Sequence, residues 1–178
     1  MERRATTKPK RPYLIAVGGL PGSGKSVAAQ MIAERLHARL LRSDVIRKEL
    51  FPEPQYTPEE GRLTYQEMFR RAGEALAAGE SVVLDATFYS RSSRKHTADM
   101  ARQHGARWLF VLVTAPEDAI RERLARRQND PSDANFAVYQ ILKQQFEPVT
   151  GPHLHLDNSG DLPALARQID EQLDAWLD

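Results

Sequence analysis

The chain has 178 residues, with 25 Lys and Arg against 24 Asp and Glu, and it has no cysteine. That length favours one domain with enough interior to fold without staples, and the missing cysteines exclude a disulfide framework, thiolate metal centres and thiol nucleophiles. Nearly balanced charge points to no class of partner, and a cysteine-free chain suits a reducing, cytoplasmic setting.

The first twelve residues, MERRATTKPKRP, carry Arg3, Arg4, Lys8, Lys10 and Arg11. They lack an apolar h-region, so they are not a secretory signal. Residues 1–12 read as a basic flexible tail, with an RNA-touching arm as the alternative, and residues 13–178 as the folded domain. Residues 13–19 are an apolar run that predicts a buried strand, and residues 25–38 have helical spacing. Residues 39–44 form a second strand with a polar end. Residues 45–51 form a brief helix, broken by Pro52, Pro54 and Pro58. A long helix over 59–79 closes on Gly79. The third strand is 81–88, followed by a helix over 90–105 with serines at its start. Residues 106–115 are the most apolar strand, with Trp108, Phe110, Val111 and Val113 as candidate core. A helix over 116–128 has Pro116 near its first turn. After a polar loop at 129–135 come a helix over 136–148, a fifth strand over 153–159 and an amphipathic helix over 161–178. No apolar run approaches the ~20 residues that span a bilayer.

Strands alternating with helices predict α/β architecture, a parallel sheet covered on both faces. Such sheets bind ligands beyond the carboxyl ends of their strands, here just after residues 18, 43, 85, 114 and 156. The first of these edges carries Gly19, Leu20, Pro21, Gly22, Ser23, Gly24, Lys25, Ser26 and Val27. The run fits G-x-x-x-x-G-K-[ST] between a strand and a helix, which is the context the P-loop requires. Glycines let successive N–H groups turn inward as an anion nest, and the following helix adds the positive end of its dipole. Lys25 then reaches the β- and γ-phosphates, and the Ser26 hydroxyl is a ligand for Mg²⁺.

A phosphate cradle alone does not separate kinase from switch. Asp44 ends the second strand, where it is either a base for an acceptor hydroxyl or a helix N-cap. Arg47, one turn on, either positions an anionic group of the acceptor or pairs with Asp44. Asp85 ends an apolar strand in the manner of a Walker B carboxylate that holds Mg²⁺. Thr87 follows as a candidate substrate contact, and Arg91 and Arg94, at the start of the next helix, either touch nucleotide or acceptor or lie at the surface. Arg121, Arg123, Arg126 and Arg127 precede the polar loop. Phosphoryl transfer spreads negative charge that arginines stabilise, and helical spacing puts Arg123, Arg126 and Arg127 on one side. Arg123 and Arg127 are the candidates for catalysis, with Arg126 against the base. Tyr56, Arg62, Tyr65 and Arg70 are candidate walls of an acceptor site. His153 and His155 share one strand face but lack a third metal ligand. Asn158 and Ser159 either edge the base pocket or cap a loop.

Together GGLPGSGKS, LRSDVIRKEL, SVVLDATF with Arg94 downstream, APEDAIRERLARR and DPSDAN resemble the AAA_33 group of P-loop kinases. That group is similar to the polynucleotide kinase and zeta toxin families. The resemblance implies a three-layer P-loop NTPase fold with strand order 2-3-1-4-5. It also implies a small lid, matched by residues 121–135, and ATP as the nucleotide. In polynucleotide kinases a general-base aspartate precedes by three residues an arginine near the acceptor phosphate, a pattern that Asp44 and Arg47 match. The expectation is an ATP- and Mg²⁺-dependent phosphotransferase acting on a hydroxyl, first of all a nucleic-acid 5′ end. The alternatives are a small-molecule kinase acting on a sugar, sugar nucleotide or antibiotic, a nucleoside monophosphate kinase, and a non-catalytic switch. No membrane or obligatory protein partner is expected. No guanine-reading N-K-x-D supports the switch.

Overall fold

A computed structural model of the chain describes residues 11–178. Among the described residues the elements are β1 (Tyr13–Gly18), α1 (Lys25–Leu36), β2 (Arg39–Arg42), α2 (Ser43–Leu50), α3 (Pro58–Ala77), β3 (Val82–Asp85), α4 (Arg91–Gln103), β4 (Arg107–Thr114), α5 (Glu117–Arg126), α6 (Phe136–Gln145), β5 (Leu154–Asp157) and α7 (Leu162–Leu177). All strand pairings are parallel and the order is β2-β3-β1-β4-β5. This is the order that the resemblance implies.

The alternation of side chains along each strand makes the two faces. On β1, Leu14 and Ala16 pack with Ile46 of α2, Met68 and Ala72 of α3 and Ala101 of α4. Ile15 and Val17 face the other way, onto Ala28 and Ile32 of α1 and Leu165, Ile169 and Leu173 of α7. A fully buried Leu or Ile side chain contributes about 1.5–3 kcal/mol, so β1, with Leu14 through Val17 at 0% exposure, anchors both layers. A smaller cluster of Ile120, Leu124 and Tyr139, with Leu20 and Phe136 against it, sits beside the glycine loop and joins α5 to α6.

Register brings the chemistry to one edge. Asp85 lies opposite Arg42 on one side and Val17 on the other. The second strand is shorter than the sequence suggests. It stops at Arg42, and α2 begins at Ser43 with Asp44 in its first turn. Arg42 takes the N-cap position and makes no side-chain cap bond. Asp44 is therefore not a cap, although its charge still meets the positive end of the α2 dipole.

Arg11 and Pro12, counted with the tail in the sequence, are bonded to the body: Arg11 Nε donates to Gly105 O at 2.9 Å and Arg107 N–H to Pro12 O at 2.8 Å. Arg3, Arg4, Lys8 and Lys10 lie outside the described residues. Among the described residues no helix is long and apolar enough to cross a membrane.

Candidate active site

Between β1 and α1 the chain turns over Gly19–Gly24. Gly22 (φ +79°) and Gly24 (φ +91°) occupy the left-handed region, which costs other residues about 1–2 kcal/mol. Ser23 N–H closes the turn on Leu20 O at 3.1 Å. No side chain caps α1, so its first N–H groups are left for a ligand. The carbonyls on the turn are already engaged. Asn158 Nδ2 donates to Ser23 O at 3.0 Å, Arg123 Nη1 to Gly22 O at 3.3 Å, and Arg123 Nη2 to Asn158 O at 2.7 Å. What remains for a ligand is the uncapped start of α1 beside Lys25, which is 9% exposed. Leu20 contributes its backbone here while its side chain packs against the Ile120 cluster. Val27 is exposed in the first turn of α1.

Ser26 and Asp85 converge. Asp85 is 3% exposed. The Arg42 guanidinium donates through Nε to Asp85 Oδ2 at 3.1 Å and through Nη2 to Ser26 Oγ at 3.0 Å. A hydroxyl and a carboxylate within reach of one cation are a donor set that suits Mg²⁺, which is usually held by one or two carboxylates together with substrate phosphates. Among the described residues no group of three or more His, Cys, Asp and Glu is placed to hold a metal. The sequence reading missed Arg42. The signal was its place as the last residue of β2, which strand order puts opposite Asp85.

On the β2 side, Asp44 forms no ion pair or hydrogen bond with a described residue. Arg47 is tied elsewhere: its buried Nη1 stands 3.5 Å from a Glu60 carboxylate oxygen, an ion pair without hydrogen-bond geometry, and its guanidinium lies over the Tyr56 ring at 5.1 Å. Glu60 is itself fixed by the start of α3. Thr57 Oγ1 accepts from Glu60 N–H, and the Glu60 carboxylate accepts from Gln55 N–H and Tyr56 N–H. This is a variant of the capping box, reaching one residue further out. Tyr65 packs partly buried against the core at the back, its hydroxyl accepting from Phe88 N–H. Burial raises its pKa above the ordinary tyrosine value. Thr87 is spent through its carbonyl on Gly19 N–H at 3.2 Å.

The arginines of α5 divide. Arg123 clamps the glycine loop from outside, as above. Arg121 lies over the Phe136 ring at 3.9 Å. Arg126 points to solvent and pairs with Glu122, away from Arg123. Arg127, just past the helix, stands 3.8 Å from Asp130 with its Nη1 buried and unbonded. Asp130 lies 4.0 Å from Arg42. Further along the loop, Asp133 pairs with Lys48 at 3.1 Å and accepts from the Tyr56 hydroxyl. Residues 127–135 thus reach back to α2 and to the entrance of α3.

Several expected contacts lie elsewhere. Arg94 is 6% exposed and its guanidinium is taken up by backbone carbonyls. Its Nη1 donates to Phe88 O at 2.7 Å and its Nη2 to Glu147 O at 3.0 Å, and it lies against the Phe110 and Phe146 rings. Burial pushes its pKa below the ordinary guanidinium value. It pins the 146–148 segment to the β3–α4 turn, because a desolvated guanidinium takes every carbonyl in reach. Arg62 and Arg70 are surface partners of Glu59 and of Glu67 and Glu74, so neither walls the site. Arg91 stands 3.8 Å from Glu147 at the surface. His153 precedes β5 and bonds Gly151 O, while His155 bonds Thr114 Oγ1. Asn158 is a clamp on Ser23, the role between cap and base pocket that the sequence left open.

Comparison with known proteins adds context. The AAA_33 family (AAA domain) matches residues 14–149. A UPF0200 protein of Aeropyrum pernix is 35% identical over 126 residues, 65% of each chain. An uncharacterised Mycobacterium tuberculosis protein is 31% identical over 141 residues. The chain spans 65% of the first relative's length and 28% of the second's. The thermoresistant gluconokinase of Escherichia coli is 25% identical over 166 residues, 91% of this chain and 87% of that one. Among solved structures, the Mycobacterium tuberculosis APS kinase CysC in complex with AMPPNP and APS superposes with a TM-score of 0.72 at 18% identity. It covers 96% of this chain and all of that one.

Proposed function

Because the chain belongs to the AAA_33 family of P-loop domains, we propose that it is an ATP- and Mg²⁺-dependent kinase whose acceptor is a hydroxyl on a small molecule. The observation that carries this is the juxtaposition at one sheet edge. Uncapped amides open α1 at Lys25, Ser26 and Asp85 converge beside them, and Asp44 stands further along the edge without a partner among the described residues. The relatives favour the small-molecule acceptor over the nucleic-acid 5′ end, since a gluconokinase matches over nearly the full length of both chains.

In this reading the uncapped amides at the start of α1, together with Lys25, bind and orient the triphosphate. Ser26 and Asp85 would hold Mg²⁺, which would supply positive charge to neutralise the charge that develops in transfer. Asp44 accepts the acceptor's hydroxyl proton as the new O–P bond forms and the β,γ-bridging O–P bond breaks, releasing ADP. Arg47 reaches an anionic group of the acceptor by leaving its ion pair with Glu60. Residues 121–135 act as a lid, with Arg127 supplying charge to the transferring group and Arg123 holding the loop in shape. Arg126 reaches nucleotide only if that lid rearranges.

The test is transfer of label from γ-labelled ATP with Mg²⁺ to panels of sugars and sugar acids, nucleosides, aminoglycosides, nucleoside monophosphates and oligonucleotides. Label on a small-molecule hydroxyl is expected. Label on oligonucleotide 5′ ends restores the polynucleotide reading. Label on a monophosphate removes the need for a base at Asp44. Hydrolysis without transfer indicates a switch.

A further inference from the structure

Arg42 spans the two side chains, Ser26 and Asp85, proposed to hold Mg²⁺. Its Nε is 3.1 Å from Asp85 Oδ2 and its Nη2 is 3.0 Å from Ser26 Oγ. The Asp85 side chain is 4% exposed and that of Arg42 is 23% exposed. A carboxylate so desolvated needs a positive neighbour, and the planar fork of arginine can hold two acceptors at once, as a lysine ammonium cannot with the same fixed geometry. The metal has the same demand. Mg²⁺ takes oxygen ligands at about 2.0–2.1 Å in near-octahedral geometry. The guanidinium and the metal therefore compete for the same oxygen atoms, and their charges repel each other over a few ångströms of partly buried space. A second carboxylate waits beside the first: Asp130 is 4.0 Å from Arg42 Nη2 and stands within 3.8 Å of Arg127.

We infer that Arg42 is a placeholder cation of the metal site, displaced when nucleotide-bound Mg²⁺ enters and passed to Asp130 on the 127–135 loop. The inference rests on the Mg²⁺·ATP reading of the P-loop. Its consequence is that metal arrival at the sheet edge is reported to that loop, which is already linked to α2 through Asp133 and Lys48. A merely structural Arg42–Asp85 ion pair affects stability but does not couple metal affinity to the loop.

The experiment measures Mn²⁺ binding by electron paramagnetic resonance with saturating ADP, for wild type, Arg42→Ala and Arg42→Gln. The glutamine amide keeps a donor for Asp85 if the alanine variant fails to fold. A group that fills a site nine-tenths of the time weakens apparent affinity about tenfold, so Mn²⁺ should bind the variants about tenfold more tightly. ADP affinity in EDTA should be unchanged. In wild type, Mn²⁺ should also alter hydrogen-exchange protection of residues 127–135, and the variants should lose that response while still binding metal. Unchanged or weaker Mn²⁺ binding by a folded variant overturns the exchange while leaving the kinase reading intact. Wild type that binds neither nucleotide nor metal overturns both.

Discussion

Gly24 concentrates two constraints in one residue. Its φ of +91° is left-handed, and a Cβ built on it would fall within the Asn158 side chain that holds Ser23 O. Gly79 has a similar φ of +78° with nothing within 4 Å. Gly24→Ala should therefore cost more than the about 1–2 kcal/mol of backbone strain expected for Gly79→Ala, and only Gly24→Ala should weaken nucleotide binding. Denaturant melts and calorimetric ADP titrations check this; equal costs would mean that Asn158 does not brace the cradle. The contrast shows what could be read from the sequence at this level. The motif named residues 19–26 because glycine, lysine and serine types at fixed spacing are themselves the signal. Arg94 and Arg42 were misjudged or missed because arginine looks alike whether it meets phosphate, a buried carboxylate or three carbonyls. Only its neighbours in space decide, and those come from Glu147, Pro148, Asp85 and Ser26, distant in the chain.

The 127–135 loop is held to α2 and the entrance of α3 through Asp133, Tyr56 and Lys48. Partial burial, then the hydrogen bond and charge of Asp133, raise the Tyr56 pKa above its ordinary value. The bonds from Tyr56 and then Lys48 lower that of Asp133. The signs fix a window. A lowered carboxylate contributes stability present above its unfolded value near 3.9 and lost as pH falls through the lower folded value. A raised phenol contributes stability present below about 10 and lost as pH rises through the higher folded value. The tie therefore holds across the neutral range. Asp133→Asn should move one tyrosine of the alkaline absorbance titration down towards about 10, with Tyr65 still titrating late because its shift comes from burial. A titration identical to wild type would show that Tyr56 and Asp133 do not meet in solution. Helix periods revealed α5 and α6, and the polar run between them revealed a loop. They could not reveal that the loop reaches α2, because Lys48 and Asp133 are 85 residues apart.

The sheet makes Asp44 a candidate base. Strand order β2-β3-β1 sets the start of α2 two strands from the P-loop, at the same carboxyl-terminal edge. Alternating strand and helix patterns were sufficient to give every element and the parallel sheet, because each buried strand announces itself as an apolar run. The order itself came from resemblance, since periodicity carries no information about which strands are neighbours. The proposed reaction divides its labour across that edge, with residues 19–26 binding nucleotide and Asp44 taking the proton. The direct test is Asp44→Asn, which keeps the size of the side chain and removes its basicity. It should bind ATP with wild-type affinity by calorimetry, while transfer of γ-label to the identified acceptor falls about 10²–10⁴-fold, the usual contribution of a general base. Transfer at the wild-type rate, or nucleotide affinity lost along with transfer, would contradict it.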